Sequence, residues 1–272
     1  MPSEESGRYE FYSAQYARFG SKLAAEVRRE AYGEDLGQQG WRTLAEQNEI
    51  ATLISQKPNA HLLDIACGSG GPALALATRT GCKLTGIDIE AAGIAQAKNL
   101  STQLGLSETA DFRVADCSQR LPFDDAAFDA VTCVDAINHL RNRFEALRDW
   151  FRILRPGGSL LVTDAAILTG AVSKQELDIR ASQGDFVFVS PGVNEMAIES
   201  AGFHLQKSVD TTQAIADIAF KLRAARKARS QALQDEEGAD WFAKRQRFLE
   251  TTAELAASGR LSRFLYIAQK PE

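Results

Sequence analysis

Leu62-Leu-Asp-Ile-Ala-Cys-Gly-Ser-Gly-Gly-Pro72 is the stretch whose reading decides the fold. The apolar residues Leu62, Leu63 and Ile65 run into three glycines, and an alanine-leucine run from Ala73 to Ala77 comes next. That order marks a buried strand turning sharply into a helix. Gly68 and Gly70 admit backbone angles closed to other residues and let a ligand approach the main chain, while the helix start offers free N–H groups. The shape is that of a nucleotide cradle. A glycine turn alone is weak, because the same spacing occurs in ordinary loops and in NAD-binding folds.

The residues beyond the turn narrow the reading. About 20 residues on, where an acidic residue is expected to grip a ribose, Lys83-Leu-Thr-Gly-Ile-Asp88 ends a second apolar strand. Ala110 to Asp116 ends a third, Phe128 to Asp135 a fourth, and Leu154-Arg-Pro-Gly-Gly-Ser-Leu-Leu-Val-Thr-Asp164 gives a turn and a fifth. Strands alternating with helices argue for a parallel sheet covered on both faces. Ligands of such sheets bind at the carboxyl ends of the strands, where Asp64, Asp88, Asp116 and Asp135 fall.

These blocks, in this order and at these intervals, resemble the class I S-adenosylmethionine-dependent methyltransferases over roughly residues 30–270. The resemblance implies an α/β fold: a doubly wound, seven-stranded, mostly parallel sheet of the Rossmann-like methyltransferase type, with N-terminal helices and a helical lid between the last two strands. It implies S-adenosylmethionine as cofactor and assigns roles by position. Asp64 should orient the cofactor's amino group, Gly68 and Gly70 should let its methionine portion lie on the main chain, and Asp88 should bond both ribose hydroxyls. Ile89 should pack on the adenine, and Asp116 should accept from the adenine amine beside the Cys117 backbone. The usual first glycine of the turn is Ala66 here, read as a tolerated variant. An NAD dehydrogenase is disfavoured, because continuing Gly-x-Gly-x-x-Gly from Gly68 lands on Ala73.

The fourth strand carries the candidates for chemistry, Asp135-Ala-Ile-Asn-His139. Asp and His four apart, where a strand enters a helix, can face one pocket, and a neutral imidazole near neutral pH suits proton removal. His139 and Asp135, with Asn138 between them, are therefore the catalytic candidates, whereas His61 and His204 read as structural. The block resembles that of phosphoethanolamine and related small-amine N-methyltransferases, and Tyr32-Gly-Glu-Asp resembles their Phe-Gly-Glu-Asn loop. Leu36, Gln38 and Gln39 stand where that group has tyrosine and serines, which speaks against a phosphobase substrate. Tyr16 and Tyr32 are the candidate substrate contacts, and either Tyr12 or Tyr16 could partner His139. Gln38 and Gln39 read either as ligands of the cofactor's amino-acid end or as a surface turn.

Composition sets outer limits. The 272 residues suffice for one elaborated α/β domain, expected as a helical cover (1–57), a cofactor core (58–165) and the rest of the sheet with its lid (166–272). A net charge of −5 and pI near 5.4 argue against sequence-independent nucleic-acid binding and favour a small-molecule substrate. No long apolar run or leader pattern is visible, so a cytoplasmic protein, off the membrane and monomeric or homodimeric, is expected. Cys67, Cys82, Cys117 and Cys133 fit no zinc spacing and read as buried thiols; no metal is expected.

Residues 8–31 read as an amphipathic helix bearing Phe11, Tyr16, Phe19, Leu23 and Val27 on one face, and the segment before it reads as disordered. Phe186-Val-Phe-Val189 reads as a strand and Phe203 to Val209 as the sixth. Thr211 to Ser258, roughly 48 residues where a short connection is usual, read as two helices broken near Glu236 and acting as a lid. The basic run Lys221 to Arg229 reads as a solvated face, with Ile215, Ile218, Phe220 and Leu222 packing opposite. The expected activity is methyl transfer to a small molecule, an amine being slightly preferred. An oxygen or carbon acceptor, cyclisation of S-adenosylmethionine itself in the manner of azetidine-carboxylate synthases, and a non-enzymatic cofactor-binding regulator remain alternatives.

Overall fold

The structure is a computed structural model and describes residues 12, 15, 16, 18 and 20–272. The expectations for Phe11, Phe19 and the first residues of the chain lie outside the described residues.

Seven strands form one sheet: β1 (His61–Ile65), β2 (Lys83–Asp88), β3 (Ala110–Val114), β4 (Phe128–Val134), β5 (Leu154–Leu168), β6 (His204–Asp210) and β7 (Leu261–Gln269). Their order is β3-β2-β1-β4-β5-β7-β6, and only β7 runs antiparallel to its neighbours. The order reverses at β1, so a crevice opens between β1 and β4 at their carboxyl ends, as the alternating pattern predicts. The central strands are apolar throughout because both faces are covered. One face carries Leu63, Val131, Val162 and Trp150; the other carries Leu62, Leu84, Leu161 and Leu74. The edge strand β6 is largely exposed and polar, with Lys207 on it, which discourages pairing with another chain.

Helix α1 (Lys22–Tyr32) starts at Ser21, whose hydroxyl accepts from the Ala24 N–H, and stops at Gly33 in the left-handed conformation. The continuous helix expected over residues 8–31 is therefore interrupted ahead of Ser21. Helix α2 (Leu44–Ser55) opens with a capping box between Thr43 and Glu46. Helices α3 (Gly71–Thr80), α4 (Ala91–Gln103) and α5 (Arg143–Ile153) are the crossovers of the parallel sheet. Helices α6 (Lys174–Arg180) and α7 (Val193–Ser200) come after β5.

The long insertion between β6 and β7 forms three helices rather than two: α8 (Thr212–Ala228), α9 (Ser230–Glu237) and α10 (Ala239–Ala257). The extra break falls at Arg229, whose side chain leaves the helix to pair with Glu26 and Glu30 of α1. This lid has its own core with α1, built from Val27, Trp41, Ile215, Leu222, Phe248 and Leu249. The basic run is thus less a solvated face than a set of ties, since Arg223 meets Glu250 and Arg226 meets Glu237. Phe220, expected to pack, is 64% exposed. Phe186 to Val189 is not a strand: only Val189 bridges to Ile167, and the Val187 N–H donates to the Asn138 carbonyl at 2.7 Å. Arg143 holds that segment through the Val187 carbonyl while bonding Asp164 and Asn194 in the core.

One buried cluster joins sheet, cover and lid. Arg263 of β7 is fully buried; its Nε donates to Asp135 Oδ1 at 2.7 Å, and its Nη1 bonds Glu46 of α2 and Thr211 Oγ1 at the entrance to α8. Removing one partner would leave uncompensated charge in a dry site. Arg263→Ala is expected to lower stability by about 3–5 kcal/mol, read from urea unfolding. A loss below about 1 kcal/mol, the level of a surface ion pair, would mean that the cluster is open to water.

Candidate active site

A cavity of about 310 Å³ lies over the carboxyl ends of β1, β2 and β4. Its floor is the turn after β1. Ala66 adopts φ 55° and Gly68 φ 57°, both left-handed. The position that usually carries glycine thus requires glycine's geometry, and Ala66 meets it with a backbone strain of about 1 kcal/mol. A Cβ on Gly68 would lie 2.7 Å from Tyr16 Oη, whereas one on Gly71 would overlap the Leu36 carbonyl at 1.6 Å. The turn is therefore roofed by Tyr16 and clamped by the loop after α1.

At one end of the cavity, Asp88 accepts from the Gly68 N–H and the Glu90 N–H, each at 2.8 Å. Burial pushes its carboxyl up to about 6, against those bonds. Asp64 takes the Thr132 hydroxyl at 2.5 Å, and burial raises its carboxyl as well. Asp116 takes the Ser118 N–H at 2.8 Å. Ile89 lines the same end with 42% of its surface uncovered, and Cys117 lines it too.

Gly70 does not line the cavity. It is the N-cap of α3 at φ 74°, and a Cβ there would lie 2.8 Å from Ala97 and 3.0 Å from the Phe112 ring, so its glycine serves packing. Gln38 and Gln39 do line it, but Gln38 folds back on its own loop, accepting from the Leu36 N–H at 2.7 Å and donating to the Glu34 carbonyl at 3.1 Å. Gln39 accepts from Gln15.

At the other end stands His139, in a short 3₁₀ turn (Ile137–His139). Its Nδ1 lies 2.5 Å from the Asp185 carbonyl. A carbonyl only accepts, so Nδ1 carries the proton and Nε2 keeps its lone pair. The Tyr12 hydroxyl is 3.3 Å from Nε2, and Phe186 meets the ring edge-on at 4.7 Å. Burial holds the imidazole below its ordinary value, so it is neutral at pH 7. Asn138 lines the cavity beside it, 1% exposed, and its Oδ1 has no partner among the described residues.

Two expectations change here. Asp135 reaches the cavity wall, yet Arg263, the Trp41 N–H at 2.7 Å and Thr163 at 2.9 Å take up its oxygens. Burial would raise its carboxyl, but the Arg263 charge and these bonds outweigh that and hold it low. It is a structural anion rather than a base. Tyr32 does not line the cavity: its hydroxyl donates to the Gly40 carbonyl at 2.7 Å and fixes the loop, and Tyr16 sits with the glycine turn rather than with His139. Of the two tyrosines offered for His139, the structure selects Tyr12. Arg42, Arg180, Gln183, Arg245 and Phe248 also line the cavity, and the sequence reading missed them. Their spacing repeats no motif, and a charged helix pattern reads alike whether its arginine faces water or a cavity.

The family model of the methyltransferase domain matches residues 63–162. The chain is 27% identical over 201 residues to the 27-O-demethylrifamycin SV methyltransferase of Amycolatopsis mediterranei, covering 70% of this chain and 74% of that one. It spans 38% to 47% of three further curated relatives, two of them sterol C-methyltransferases. Its fold is that of phosphoethanolamine N-methyltransferase 2 of Haemonchus contortus, with TM-score 0.79 and 18% identity over 94% of this chain and 59% of that one. It is equally that of the [4+2]-cyclase SpnF, with TM-score 0.72 and 22% identity over 95% of each. The chain carries a methyltransferase domain and is homologous to methyltransferases; the cofactor that the sequence resemblance implies is S-adenosylmethionine. The first end of the cavity fits that group, offering an apolar Ile89 surface left bare, a buried carboxylate pair and a glycine turn. Among the described residues no helix is long and apolar enough to cross a membrane and no side-chain cluster is set to hold a metal.

The buried imidazole has a measurable consequence. An NMR titration is expected to place the His139 midpoint below the ordinary value of about 6.5. Because the folded value is lowered, its contribution to stability is present above about 6.5 and declines as pH falls through the folded midpoint. A midpoint at or above the ordinary value would mean that the ring is hydrated.

Proposed function

We propose that the chain transfers the methyl group of S-adenosylmethionine to a nitrogen or oxygen of a small molecule and that His139 removes the acceptor's proton. The observation that carries this is the Nε2 lone pair of a buried, neutral imidazole whose other nitrogen is tied to a backbone carbonyl. The cofactor, when bound, supplies an activated methyl on a sulfonium. The protein's part is to align the acceptor, exclude water and take the proton.

Asp88 holds the nucleoside by its ribose hydroxyls, Ile89 packs on the adenine, and Asp116 with the Cys117 backbone takes its edge. Asp64 receives the amino group, with Gly68 and Ala66 giving main-chain access and Gln38 and Gln39 closing the loop over that end. At the acceptor end, Tyr12 steers the Nε2 lone pair, and Asn138 Oδ1 accepts from the acceptor or lies against the transferring methyl. An ammonium acceptor must lose its proton before its lone pair can attack, and a hydroxyl needs the same base, so the site serves either. An amine is preferred only where the acceptor also tolerates the arginines that line the cavity.

Mass spectrometry after incubation with S-adenosylmethionine and a mixed panel of amines, hydroxy compounds and acids tests the reading. S-adenosylhomocysteine with one panel member heavier by a methyl group is expected; methylthioadenosine appearing without any acceptor would overturn it in favour of cyclisation. With the acceptor in hand, His139→Ala is expected to lower kcat by about 10²–10⁴-fold, and Tyr12→Phe by less. Wild-type kcat/KM should rise with pH and level off once His139 is neutral. An unchanged kcat in His139→Ala would remove that residue from the mechanism.

Asp88 gives a separate check. Its carboxyl titrates at about 6, and only the anion accepts from both ribose hydroxyls. Affinity for S-adenosylhomocysteine by calorimetry is expected to rise with pH through that value, and Asp88→Asn to remove most of the dependence.

A further inference from the structure

The acceptor end of the cavity contains a charge that the fold does not answer. Arg180, the last residue of α6, is 1% exposed and lines the cavity. Its Nη2 donates to the Ala165 carbonyl at 3.3 Å, but Nε and Nη1 have no hydrogen-bond partner among the described residues. Other deeply buried arginines are matched: Arg143 by Asp164, Arg226 by Glu237, and Arg263 by Asp135 and Glu46.

The surroundings of Arg180 are aromatic instead. Its guanidinium carbon lies 4.5 Å from the Phe186 ring centre, 5.0 Å from that of Phe248 and 6.0 Å from that of Trp41. Rings attract the cation through its faces, yet they supply no lone pair to the N–H groups at its edge. Arg245, bonded to Gln183, adds a second positive charge to the same end of the cavity. Burial is the chief influence on Arg180 and brings it down to about 10, so it still carries its proton at neutral pH. The acidic groups that act on it, Asp135 and Asp164, are already paired with Arg263 and Arg143, and a buried cation without an ion-pair partner of its own is as unfavourable as one half of a broken internal ion pair. A site that keeps one, stacked and held in place, is set to receive an oxyanion, for which guanidinium is the best-matched side chain.

We propose that Arg180 recognises an oxyanion, a carboxylate or a phosphate, carried by the methyl acceptor. That the oxyanion belongs to an acceptor rests on the methyl-transfer reading, but the anion site itself is tested without turnover. The acceptor is constrained as well: a simple cationic amine is repelled by Arg180, whereas an amino acid, a hydroxy acid or a phosphate monoester brings its own counter-charge.

The experiment is calorimetric titration of the full chain, saturated with S-adenosylhomocysteine, with benzoate, phenyl phosphate, benzamide and phenol. At least one of the two anions is expected to bind at least about tenfold more tightly than its neutral counterpart, as suits a hydrogen bond to a charged group. The tighter anion tells carboxylate from phosphate. In Arg180→Met that preference should vanish while affinity for S-adenosylhomocysteine is kept, and Arg180→Lys should retain part of it. Anions that bind no better than the neutral compounds, or equally well to Arg180→Met, would overturn the proposal and leave Arg180 as a packing element. If Arg180→Met does not fold, the wild-type comparison and Arg180→Lys decide. Anion binding at Arg180 with no methylated product from any acid or phosphate ester would sink the methyl-transfer reading and leave the anion site standing.

Discussion

Arg263 is the point on which the molecule closes. A guanidinium buried without water must be matched by oxygens, and here they come from three separated parts of the chain: Asp135 at the end of β4, Glu46 in the first turn of α2 and Thr211 before α8. Satisfying one charge therefore fixes the last strand, the helical cover and the root of the lid together. Asp135 holds its place with a left-handed backbone, φ 55°, at the residue where β4 turns toward Asn138 and His139. The strain persists because Trp41, Thr163 and Arg263 over-determine the position.

From that anchor the two ends of the cavity acquire opposite characters. The β1 and β2 end is acidic and glycine-lined, with Asp64 and Asp88 buried and their carboxyls raised by desolvation. The far end is basic and aromatic, with Arg180 and Arg245 among Phe186 and Phe248. His139 stands at the far end, its ring orientation set by the Asp185 carbonyl rather than by a carboxylate. That division matches the cationic donor and the anionic acceptor proposed above, with the neutral imidazole of His139 as the proposed base. The same fold supports O-, N- and C-methyltransferases and a cyclase among its relatives, so the distinguishing information lies in the far end and not in the sheet.

Much of this was legible along the chain. The strand, turn and helix of Leu62 to Ala77, and the recurrence of acidic residues at strand ends, are local patterns set by period and by glycine, and the structure has the sheet they imply. The place of His139 was legible too, because a histidine where a strand enters a helix falls at the sheet's carboxyl edge, and it does line the cavity there. The surroundings of Gly70 and Asp135 were not legible: a motif fixes the residue type, but what packs against it depends on neighbours far away in sequence, Ala97 and Phe112 for one, Arg263 for the other. Phe186 to Val189 has the composition of a strand, yet Arg143 and the Asn138 carbonyl hold it as an irregular segment whose Phe186 lines the cavity.

The sequence by itself determined the α/β sheet and its glycine cradle, because backbone turns and hydrophobic periods are short-range properties that a few adjacent residues settle. Only the tertiary structure decided which tyrosine meets His139, that Asp135 is held by Arg263, and that Arg180 is buried with no ion-pair partner of its own among the described residues. The first two of these join residues 127 and 128 positions apart. Electrostatic matching in a buried site is a property of the assembled neighbourhood, not of any segment.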